Sequence, residues 1–120
     1  MKLYIAVLDE VPDFIVPTLV AHSVLGAHIE FIQYLNGTKH LPYEDVEKFI
    51  KYGEWLAHSF KKCVVRVNQK EFEKISTLPY TYLGHENKTL DGRKSCAIPL
   101  PVKNEDLPNV LKFAKLWKPQ

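Results

Sequence analysis

From Val16 to Leu35 apolar residues recur at helical spacing (Val16, Val20, Ser23/Val24, Ala27, Phe31, Leu35). Leu19, Leu25, Ile29 and Ile32 fill the faces outside that stripe. A helix apolar nearly all round is packed by protein on more than one side, so this stretch is predicted to be the central helix of a domain. Pro17 suits its first turn, where a backbone N–H is not needed. Asn36-Gly37 supplies its stop, and Gly26 would let a neighbour approach closely.

The elements around it are shorter. Lys2–Leu8 is an almost wholly apolar run ending at acids and a proline, the pattern of a strand buried on both faces. Tyr43–Tyr52 reads as a modest helix ended by Gly53, and Phe60–Val67 as a second strong strand. Asn68 caps a short helix, Gln69–Ile75, with Glu71 placed for a capping box. Tyr80–Leu83 is strand-like and stops at Gly84. Asp91-Gly92 predicts a tight hairpin turn within Lys88–Arg93. Ser95–Leu100 makes a further strand, with Pro99 and Pro101 at its exit. Asn104 opens a last helix with Leu107, Val110, Leu111, Ala114 and Trp117 on one face. The order β-α-(α)-β-α-β-β-α predicts a mixed sheet covered by helices.

At 120 residues, 46% of them hydrophobic, the chain is predicted to form one domain that needs no staple. No run reaches the ~20 consecutive apolar residues of a membrane helix, so no membrane association is expected. Met1-Lys2 leads into Leu3–Leu8, but Asp9, Glu10 and Asp13 stand where a signal-peptide cleavage site belongs, which predicts a cytoplasmic protein. Cys63 and Cys96 lie in separate apolar stretches without CxxC spacing and read as core thiols. The formal charge of +2 does not by itself demand a nucleic-acid partner. There is no P-loop, GxGxxG or GxSxG segment, and no cofactor is expected.

Ligands of open α/β sheets collect beyond the carboxyl ends of parallel strands. Here those positions are Asp9, Glu10 and Asp13, the start of the central helix, and Gly84–Thr89. His22 lies in a mostly apolar helix, where an imidazole is costly unless used or satisfied. His85 and Glu86 put two titratable groups in one loop, and Lys88 and Thr89 follow. Each has a plainer reading: a core histidine, or a solvated turn. Asp9, His22, His85 and Glu86 lack the local spacing of a metal site, and none is expected. Lys61-Lys62 with Arg66, and Lys88, Arg93 and Lys94, would form a positive rim near His85 if the sheet brought them together.

The segment Val20-Ala21-His22-Ser23-Val24-Leu25-Gly26-Ala27 after a first strand and short loop resembles the type II peptidyl-tRNA hydrolases. Phe60–Val67 followed by an acidic helix, and Ile98-Pro99-Leu100-Pro101 running into a final helix, are similar to the same family. Leu8-Asp9-Glu10 and Pro99-Leu100-Pro101-Val102 resemble most the bacterial proteins of unknown function that share this fold. The resemblance implies a three-layer α/β domain over residues 1–120, with a four-stranded mixed sheet and helices on both faces. It also implies a catalytic set of His22, Glu86 and Thr89, with Asp9, Glu10, His85 and Lys88 contacting ligand, and a homodimer. The family's Gly-Lys positions hold Phe14 and Ile15, and its glutamine position holds Leu19. Isoleucine can neither bind phosphate nor stabilise an oxyanion. Two functions follow as expectations: a divergent hydrolase or binder of an aminoacyl-tRNA-like or amino-acid-like ligand, or a non-catalytic tRNA- or protein-binding module.

Overall fold

The N-terminal apolar run forms β1 (Leu3–Leu8), and its neighbours on both sides explain why it is apolar throughout. In a computed structural model that describes residues 1–120, β1 pairs in parallel with β2 (Lys62–Val67), Leu3 opposite Lys62 and Leu8 opposite Val67. On its other side β1 meets β4 (Cys96–Ile98) in antiparallel, with β3 (Tyr82–Gly84) beyond. A two-residue strand, β5 (Lys115–Leu116), pairs antiparallel with β2. The sheet order is β3-β4-β1-β2-β5, five strands where four were expected.

The fifth strand arises where a long last helix was expected. Pro108 lacks an N–H and disfavours helical backbone at Leu107, which is extended (φ −70°, ψ 123°). The segment therefore breaks into a 3-10 turn at Asn104–Asp106 and a single helical turn, α4 (Asn109–Lys112). The chain then extends into β5, and the Trp117 amide donates to Val64 O at 2.9 Å.

The central helix, α1, spans Val16–Leu35 and packs on β1, β3 and β4. Val16, Leu19, Ser23, Ala27 and Phe31 are its buried side. The close approach expected at Gly26 is made by Tyr82, whose hydroxyl would lie 2.2 Å from an added Cβ. Leu3, Ile5 and Val64 share a cleft with α1. The alternate residues Ala6, Leu8, Val65 and Val67 are also buried, so the second face of the sheet is covered too. α3 (Gln69–Ser76) contacts β1 and β4 there, its N-terminus closed by the reciprocal Asn68–Glu71 bonds of 2.8 and 2.9 Å.

Two further expectations change. The helix expected to end at Gly53 continues: α2 (Val46–Glu54) runs into a π-helical turn at Trp55–Ser59 and ends at Phe60, where φ is 52°. Nothing crowds Gly53, whereas Trp55 is buried and donates its indole N–H to Lys61 O at 2.8 Å, fixing the exit there. Asp91-Gly92 takes positive φ as its sequence demands (56° and 72°), but inside a long connection. The last rung between β3 and β4 is Ser95 N to Gly84 O, so residues 85–95 form a loop instead of a tight hairpin.

Candidate functional site

Two antiparallel steps separate β3 from β1, so β3 runs parallel to β1 and its end at Gly84 lies at the same end of the sheet as Leu8 and Val67. Asp9, Glu10, Asp13 and the loop 85–95 therefore gather at one end. Ser23 brings α1 to it: an added Cβ on Gly84 would stand 2.1 Å from Ser23 Oγ, so only glycine admits this contact. His22, beside Ser23, is exposed, not buried in the helix packing.

The polar groups at this end are held by one another. Glu86 accepts from the Lys88 amide and the Thr89 hydroxyl, both at 2.9 Å, and Thr89 is buried in that turn. His85 Nδ1 is 3.2 Å from Lys94 Nζ. Glu10 pairs with Arg93 at 2.6 Å, and Asp13 with Arg66 at 3.0 Å. Asp13 is held below the usual carboxylate range, first by the Gln120 amide that donates to it and then by Arg66. The bonds of Glu86 and His85 run to these near neighbours, and none reaches His22. Asp9 is exposed and borders a separate polar cleft of about 580 Å³ with Asn68, Glu71, Lys115 and Lys118. No three His, Cys, Asp or Glu side chains are grouped to hold a metal ion.

The positive rim does not form. Lys62 stands opposite Leu3, at the far end of β2 from Val67 and the loop 85–95, roughly 17 Å away at the usual rise per strand residue. Arg66 is at the loop's end, but Asp13 and Lys118 O, 2.7 Å away, hold its guanidinium. Sequence reasoning named Arg66 and Arg93 only as contributors to that rim. Their pairing to acids 53 and 83 residues away leaves no local signal.

Cys63 and Cys96 are both free. Burial pushes the Cys96 thiol up to about 12, with the Ser23 hydroxyl beside it acting in the opposite sense, and it raises Cys63 as well. Neither is a thiolate at neutral pH. Burial also pushes Tyr52, whose hydroxyl meets His28 Nδ1 at 2.9 Å, up to about 12.

The largest uncovered feature is apolar. On α1 Ile29 is 53% and Leu25 62% exposed, and Leu25 shares the rim of a cleft with Phe60, which is 56% exposed. The cleft, of about 620 Å³, is floored by Leu3, Ile5 and Val64. Its charged or titratable lining is His28, Tyr52 and Lys62, and the Lys62 ammonium sits 3.3 Å from the centre of the Phe60 ring. α1 is long and apolar enough to cross a bilayer by length and composition, while its inner side packs against the sheet. Comparison with protein-family models finds no match to this chain, and comparison with curated proteins finds none.

Proposed function

We propose that the chain is a non-catalytic protein-binding module of type II peptidyl-tRNA hydrolase-like architecture, working as a homodimer joined along the outer face of α1. The observation that carries this reading is that face itself. Between Asp13 and Glu30 there is no Asp, Glu, Lys or Arg, and Thr18, Ala21, Leu25 and Ile29 succeed one another at helical spacing, all exposed. An outer helix face is normally charged. A two-fold interface sets one patch against itself, which a patch of single-signed charge resists and an uncharged one permits. The hydrolytic reading has less support. Ile15 stands where a lysine would act, and the Glu86 carboxylate already accepts two bonds within its own turn.

Sedimentation equilibrium tests the proposal. The wild-type chain should be dimeric at micromolar concentration, and Leu25→Glu should be a folded monomer, because a charge would then face its own copy. A wild-type chain still monomeric at about 1 mM, where an association worth only ~4 kcal/mol would show, sinks the reading. Incubation with diacetyl-lysyl-tRNA should give no cleavage above background. Turnover like that of a family enzyme, lost in His22→Ala, would return the chain to the hydrolases.

A further inference from the structure

A third cavity, of about 400 Å³, lies at the opposite end of the sheet from Gly84, where the chain leaves β4 and enters β3. Its walls come from α2, the Leu78–Tyr80 turn, the Pro99–Lys103 exit and α4. We propose that it binds a small organic carboxylate with an apolar body, the body lying among the prolines and leucines and the carboxylate between Lys51 and Lys103. The proposal is independent of the outer face of α1 and of the dimer.

The chemistry of the lining separates into two parts. Leu78, Leu100 and Leu111, with Pro79, Pro99 and Pro101, present carbon. A proline has no N–H to leave unpaired and its φ is fixed, so these walls add no orphan donor and are already shaped before a ligand arrives. The cations are Lys48, Lys51 and Lys103, against one lining acid, Asp106. Asp45 beside the cavity offsets Lys48 alone. Its carboxylate accepts the Tyr80 hydroxyl and pairs with Lys48 at 3.0 Å. Lys51 and Lys103 are thus left without an ion-pair partner.

The cavity wall at Tyr80 is strained. Tyr80 has φ of 57°, a left-handed backbone that a bulky aromatic rarely adopts. Its ring is fixed edge-on against Tyr34 and Phe49, with centroids 5.2 and 4.8 Å away. Such strain persists only where surrounding contacts determine it, and it concentrates at ligand sites. The Tyr80 hydroxyl, at the end of that fixed ring, donates to the Asp45 carboxylate.

The test is titration of the full chain with 4-phenylbutyrate and with its neutral amide, followed by NMR shifts of Leu78, Leu100 and Leu111. The carboxylate should saturate these shifts and bind more tightly than the amide. Lys51→Met with Lys103→Met keeps the aliphatic stems and removes both charges. It should weaken carboxylate binding roughly three- to tenfold, the scale of two partly exposed ion pairs, and leave the amide unchanged. Both side chains reach solvent, so the double variant should unfold at the wild-type denaturant concentration. Absence of saturable shifts at these leucines overturns the proposal. So does equal binding of acid and amide, or a double variant that binds the carboxylate as well as wild type does.

Discussion

The two sides of α1 have nearly the same composition and opposite surroundings. Leu19, Ala27 and Phe31 lie against sheet and α2, almost without exposure, while Ala21, Leu25 and Ile29 face outward. Apolar character on a helix therefore states that a face needs cover and does not state who supplies it. On the inner side the cover is this chain's own sheet. On the outer side this chain supplies none, and the proposal above assigns it to a second copy.

Substitutions sharpen that contrast, beginning with the inner side. Phe31→Ala should cost about 3–5 kcal/mol in chemical denaturation, since a fully buried ring packed against Phe49 and Tyr52 leaves a cavity. A loss below about 1 kcal/mol would mean that the inner face is not the core it looks like. Gly84→Ala comes next, at about 1–3 kcal/mol, because the new methyl meets the Ser23 hydroxyl and β-carbon at 2.1 and 2.8 Å, and helix and strand must move apart. Leu25→Ala is the smallest. Removing an exposed side chain should leave monomer stability within about 0.5 kcal/mol while weakening self-association in sedimentation. The opposite pattern, lost stability in a chain that never associated, would abolish the distinction between the faces.

A pH titration probes the inner side in another way. Tyr52, in the aromatic cluster beside α1, has its phenol raised from 10.0 to about 12 by burial. Its folded state therefore holds the proton longer than the unfolded state. The stability linked to that proton is complete below pH 10 and is lost as pH rises towards 12. Absorbance at 295 nm should show a late tyrosine step that shrinks in Tyr52→Phe, leaving the part that belongs to Tyr80, which its hydrogen bond to Asp45 also raises to about 12. A full tyrosine titration centred near pH 10 in the folded chain would contradict the packing around α1. Asp13 has the opposite sign: its folded pKa lies below its ordinary value, so its contribution is present above that ordinary value and is lost only as pH falls through the lowered one.

What was legible in the sequence divides along a physical line. The bounds of α1, the Asn68–Glu71 cap and the close approach at Gly26 were readable, because helical periodicity, capping and a missing Cβ act within a few residues. The end of α2 was not, because its exit is set by Trp55 reaching Lys61, and glycine alone does not stop a helix that has room to continue. Pro108 was present to be read, but the apolar spacing across it imitated one continuous helix. At the candidate site, the strand-end location of Asp9, Glu10 and the Gly84–Thr89 segment was legible from strand order. The tie of Glu10 to Arg93 was not, since which charges pair depends on a topology joining residues 83 apart. The plainer reading of His22 as a core histidine failed for a related reason. Its helix is apolar on both sides, and sequence alone cannot say which side meets the sheet.

The short strand β5 carries a consequence for how copies of this chain can meet. It lies along Val65 and Arg66, on the flank of β2 that would otherwise offer free backbone donors and acceptors to another chain. At the opposite border, β3 is only three residues long. A sheet bounded by a two-residue and a three-residue strand gives a foreign strand little to zip onto, a common natural guard against edge-to-edge aggregation. Ribbon-to-ribbon growth is thereby disfavoured at both borders, and assembly is directed to side-chain surfaces such as the helices.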